Sequence, residues 1–153
     1  MTEARTCLLC IAAEQAADRG TDADFDALEA NIRQAELCRD ETDLHKKVRL
    51  VGSFHEYLGR AVHNEVLALL IQSLTEVVAQ ILLKTQPEVY DLVIASRRSL
   101  LAHLRAHDRV AAAAEMKTHM AQLQAKVADR ARQLHDLDLV ASSAIQGERR
   151  NKP

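Results

Sequence analysis

Four glycines and two prolines in 153 residues leave this chain few places to turn. Sheets and loop-rich folds need more turn residues than that, so the sequence predicts long helices joined by short connections. The length suits one domain that buries roughly two thirds of its unfolded surface. Aromatic residues make up 3% and tryptophan is absent, so the core must be built from Leu, Val, Ile, Ala and Met.

Apolar spacing and cap residues divide the chain into about six helices. The first runs from about Glu3 to Arg19 and stops at Gly20, read as a left-handed cap. Thr21 caps the second, with Asp24 three residues on as a short capping box, and the helix reaches about Arg39. Thr42 or Asp43 opens the third, which ends near His63-Asn64. The fourth covers about Glu65 to Lys84. Pro87 restarts the chain at the first turn of a fifth, about Glu88 to Ala106. Asp108 caps a sixth reaching about Leu139, so residues 1–143 read as one helical domain and 144–153 as a flexible tail.

The formal charge of −2 disfavours direct nucleic-acid binding, which draws its affinity from clustered Lys and Arg. The basic run Arg149-Arg150-Asn151-Lys152 lies in the expected tail. Cys7-Leu-Leu-Cys10 has CxxC spacing without a second pair to complete a zinc site, and reads as buried thiols on a packing face with Leu8, Leu9 and Ile11. The apolar stretch before Glu14 and Asp18 is too short for a secretory signal. Val66 to Leu82 is interrupted by Gln72, Ser73, Thr75, Glu76 and Gln80. The expectation is a soluble cytoplasmic protein with no membrane partner.

Three apolar stripes each contain one polar residue. His55 sits among Val51, Leu58 and Val62; Arg97 among Val89, Val93, Leu100 and Leu104; His119 among Ala112, Met116, Leu123 and Val127. A lone inward His is ordinarily a hydrogen-bonded core residue, and an Arg can snorkel to a bundle end. Three together point to a polar cavity inside the bundle, because an unpaired buried charge costs several kcal/mol. The fourth helix, apolar over a wide arc from Leu67 to Ile81, reads as the central element. His103 and His107 have the i, i+4 spacing of a helical metal pair but read as surface residues near a helix end. His45, His63 and His135 have no partner by spacing. No elbow Ser, oriented Cys-His pair or Gly-rich phosphate loop is present, so no enzyme is expected.

These residues carry a resemblance. Phe54-His55, Leu58 and Asn64 are similar to the D-x-x-F-H-x-x-L…N pattern of the FCD domain, the C-terminal sensor of FadR-type GntR transcription regulators. Leu100-Leu101, Leu104, Arg105, Ala106 and Asp108, then Ala113, Met116, His119 and Met120, resemble its E-H-x-x-I-L-x-A-I-x-x-x-D…A…M-x-x-H-L signature. Arg5, Leu8, Ala16-Ala17, Thr21 and Leu28 resemble its opening run, and the match is collinear from Arg5 to Leu123.

The resemblance implies an antiparallel all-α bundle with a central cavity, in which an Asp and three His usually hold a divalent metal that anchors small carboxylates. The second and fourth ligands fall on His55 and His119, but the first falls on Val51 and the third on Arg97, neither of which can ligate. A required cofactor is not expected, and the incomplete site would hold zinc or nickel only weakly. Arg97 could supply the metal's positive charge directly, with His55, His119 and Arg5 as further donors to an anionic effector. The implied function is the effector-sensing and dimerisation half of a transcription regulator, a homodimer reaching DNA only through a winged helix not seen in this chain. The chain is then a fragment or a stand-alone sensor. The alternative is a helical dimerisation protein whose pocket has decayed and whose Arg97 pairs with a local acid.

Overall fold

The computed structural model describes residues 2–85 and 90–150, with side chains described over 3–84 and 90–137. Six helices account for them: α1 (Thr2–Arg19), α2 (Asp22–Leu37), α3 (Leu44–Ala61), α4 (Glu65–Thr85), α5 (Tyr90–Arg105) and α6 (Arg109–Arg150). No strand occurs among the described residues. Pro87, and the fifth-helix start expected at Glu88, lie outside them. So do the side chains of the basic run at 149–152. The sixth helix continues beyond Leu139, where the sequence reading ends it; its 42 residues span about 63 Å at 1.5 Å per residue.

The helix starts follow local chemistry. Thr21 N–H donates to Asp24 Oδ2 at 2.9 Å, and Asp24 N–H donates to Thr21 Oγ1 at 3.3 Å, closing the expected capping box. Asp43 accepts from Lys46 N–H and Asp108 from Ala111 N–H, at 3.2 and 2.9 Å, capping α3 and α6. The helix ends differ from expectation. Gly20 is not left-handed, since positive φ among the described residues occurs only at His63 (54°) and His107 (53°). Gly20 is needed for space: a Cβ there would stand 2.5 Å from the Ala16 carbonyl and 2.6 Å from the Phe25 ring.

The two histidines are the left-handed caps. His107 N–H donates to the Leu104 carbonyl and Asp108 N–H to the His103 carbonyl, each at 3.0 Å, the paired bonds of a Schellman ending. Their rings then tie helix ends together. His107 Nδ1–H donates to the Ala17 carbonyl at 2.7 Å and meets Phe25 edge-on, while His63 Nε2 pairs with Asp24 at 2.9 Å. His107 is an exposed residue, as expected, but its ring is engaged, and both histidines have partners that spacing did not reveal.

The central element is α1, not α4. Ala12, Ala13, Ala16 and Ala17 are fully buried. Such small side chains let α1 pack against α3, α4, α5 and α6 at once. Cys7 and Ile11 face outward instead of packing, and Cys10 is half-buried, which corrects the buried-thiol reading. Helix α4 packs closely on α3 through Gly59, where a Cβ would meet Ala68 Cα at 3.4 Å. Its other side is open, with Val66 69% and Leu69 63% exposed. The main core joins all six helices around Leu9, Phe25, Phe54, Ile71, Leu104 and Met116, and a smaller cluster gathers Val48, Val78 and Leu82.

Steric crowding at Gly20 predicts that Gly20→Ala destabilises by about 1–3 kcal/mol. Gly20→Asn, which a left-handed cap would tolerate, is expected to lower the denaturant midpoint at least as much.

Candidate functional site

Helical phase brings the three marked polar residues to one place. On α3, His55 lies one turn from Val51 and Gly52; on α5, Arg97 lies one turn from Val93; on α6, His119 lies one turn from Met116 and Leu123. With Arg5 from the first turns of α1, these side chains line one slot, whose remaining wall includes Thr75 and Val78 of α4. All four sequence-predicted site residues therefore meet. The slot measures about 20 Å³, room for about one water molecule.

Among the described residues, no Asp or Glu lines it. Arg97 is 2% exposed, and one of its terminal nitrogens, Nη2, donates to the backbone carbonyl of Val51. Its guanidinium carbon lies 4.5 Å from the centre of the Phe54 ring. Positions 51 and 97 thus touch, through the backbone of one and the side chain of the other. Arg97 Nε and Nη1 remain buried without a hydrogen-bond partner, as do both His55 ring nitrogens and His119 Nδ1. The Gly52 carbonyl lies near His55 but outside hydrogen-bonding geometry. Arg5 Nη1 reaches only a weak acceptor, Met120 Sδ at 3.6 Å. Thr75 Oγ1 donates to its own helix, at the Ile71 carbonyl.

Burial and mutual repulsion act together here. Desolvation, then the neighbouring cations, holds His55 far below the ordinary imidazole range. Desolvation followed by Arg97 and Arg5 lowers His119 to about 4. Burial lowers Arg97 to about 9 and Arg5 to about 10, so both stay charged at neutral pH and the imidazoles stay neutral. The result is a buried, dicationic site rich in unused N–H donors. It is suited to an anion. The expected alternative of an acid paired to Arg97 is not what the slot contains.

The donor set does not fit the divalent metal implied by the resemblance. His55 and His119 offer two imidazoles, Val51 offers no side-chain donor, and the Arg97 and Arg5 charges oppose a cation. No group of three or more His, Cys, Asp or Glu able to hold a metal occurs among the described residues.

The polar residues that the sequence did not mark act structurally. Arg98 forms a two-pronged pair with Glu36 at 2.9 and 2.6 Å, and Arg105 bridges Asp26 and Glu29 at 2.7 and 2.8 Å, tying α5 to α2. Glu115 accepts from Ser96 and Ser99, tying α6 to α5. Each exposed pair contributes little alone.

Among families of known proteins, the FCD domain matches residues 1–122. No curated protein matches the chain.

The neutral state of His119 has a consequence for stability. Below the ordinary imidazole value of 6.5 the unfolded chain takes up a proton that the folded chain refuses until about pH 4. Stability is therefore complete above 6.5 and falls as the pH drops towards 4, by about 3 kcal/mol from this residue. A His119→Gln variant is expected to show a shallower fall in melting temperature across that window.

Proposed function

The chain belongs to the FCD-domain family, the effector-binding regulatory domain of GntR-type transcription regulators, and we propose that its effector is a small carboxylate bound by Arg97. His55, His119 and Arg5 donate the remaining hydrogen bonds. The observation carrying this reading is the buried cluster of two guanidiniums and two imidazoles with no acid beside it among the described residues. A carboxylate would accept from the free Arg97 nitrogens and supply the missing negative charge. The charge that family members take from a metal is here supplied by side chains, so binding is metal-independent. Because the slot has room for about one water, ligand entry requires its walls to part.

We also propose that the molecule is a cytoplasmic homodimer that makes no direct contact with DNA through this domain. FCD domains of GntR regulators dimerise, and α4 offers a surface for it. Val66, Leu69, Leu70 and Val77 follow one another at spacings of three, one and seven residues and stand exposed on one side. The same helix is long and apolar enough to cross a membrane. Burial of that stripe against a second copy accounts for its composition in a regulator of this kind. The alternative, a dimerisation protein with a decayed pocket, keeps this surface and loses the ligand.

Thermal melts with a panel of carboxylates test the reading. A bound effector at about a hundred times its dissociation constant stabilises by about 2.7 kcal/mol. The shift is expected to survive chelator, to vanish in Arg97→Leu and to be reduced in Arg97→Lys, which keeps charge without the fork. An equal shift in Arg97→Leu sinks the assignment.

For the dimer, sedimentation of a Leu69→Glu, Val77→Glu double variant is expected to give a monomer with an unchanged helical spectrum.

A further inference from the structure

Beside the polar slot lies a second space, of about 270 Å³, between α4 and α6. Its walls are apolar: Val78, Ile81 and Leu82 from α4, Met120, Leu123 and Val127 from α6. The polar residues on it are Arg5 and Gln124. Gln124 is engaged, donating from Nε2 to Thr6 Oγ1 at 3.0 Å. Arg5 is the charged residue common to both spaces, and Val78, Leu82 and Leu123 line both as well. The slot and the chamber are thus two sides of one wall, cationic on one side and oily on the other.

Resting on the anion-binding reading above, we propose that the effector is a small amphiphilic monocarboxylate, its head group at the Arg5–Arg97 cluster and its hydrocarbon body in the α4–α6 chamber. The chamber's volume sits at the small end of ligand pockets, which fits a compact acid. Sugar acids and dicarboxylates are disfavoured, because hydroxyls or a second carboxylate placed against these walls would lose water without gaining a partner. An alkyl chain loses nothing there and leaves water. The charge is complementary as well: Arg97 and Arg5 are buried with donors to spare, and the chamber opens onto the latter.

The test is titration of the full chain with straight-chain monocarboxylates from acetate to decanoate, beside a dicarboxylate and a sugar acid. Affinity is expected to rise about fourfold per added methylene until the chamber is full, then level off. Ala128→Phe, a change at an exposed position on the chamber rim, should flatten that rise while leaving acetate binding as it was. Arg97→Leu should weaken every member. If sugar acids or dicarboxylates bind in an Arg97-dependent way and alkyl length has no effect, the anion site stands and the amphiphilic effector is overturned. If a length effect persists in both variants, the chains are adhering elsewhere, and the proposal is again overturned. If no carboxylate binds, both readings fall.

Discussion

A guanidinium in the middle of an apolar bundle has to be held by something, and what holds Arg97 is uncommon. Its neighbours are a main-chain carbonyl on α3, the face of Phe54 and two neutral imidazoles, with no carboxylate among the described residues of the slot. The protein accepts that arrangement at a cost, since each unpaired buried donor is worth about 1–3 kcal/mol of lost stability. The surrounding packing tolerates it because the slot sits against the smaller apolar cluster, while Phe54 and Met120 anchor the cations to the main core. Strain of this kind is relieved by the right ligand. On the proposed reading, that connects an unfavourable feature of the fold to a regulatory use.

The proposed reading links the missing metal ligands and Arg97 through one contact. On the proposed reading, Val51 and Arg97 stand where the resemblance implies an acid and a histidine, and Arg97 both brings positive charge and donates to the carbonyl of Val51. A cation brought by a side chain cannot be stripped by a chelator or exchanged for another metal. It also cannot dissociate, so the responsiveness of such a site rests wholly on its organic ligand.

Much of this was written in short-range patterns. Thr21 with Asp24, Asp43 and Asp108 marked helix starts because a cap is a contact within a few residues. His55, Arg97 and His119 were legible as a site because each breaks an otherwise apolar stripe. The errors share a cause. A wide apolar arc marks α4 equally as a core helix or as one that keeps a face for a partner, and only the packing decides. Alanine carries too weak a hydrophobic signal to announce α1 as the hub. The partners of His63 and His107 lie 39 and 90 residues away, beyond any local pattern. The α4–α6 chamber was invisible for a further reason: its volume depends on how two helices diverge, and no residue encodes that alone.

The alanine face of α1 carries an implication for how a signal could travel. Methyl groups have no side-chain torsions to rotate, so the helices seated on Ala12, Ala13, Ala16 and Ala17 meet a surface that cannot yield by switching rotamers. A tug on Arg5, two to three turns away on the same helix, therefore cannot be absorbed locally. On the proposed reading, a shift of α1 as a whole would reach each helix packed on it.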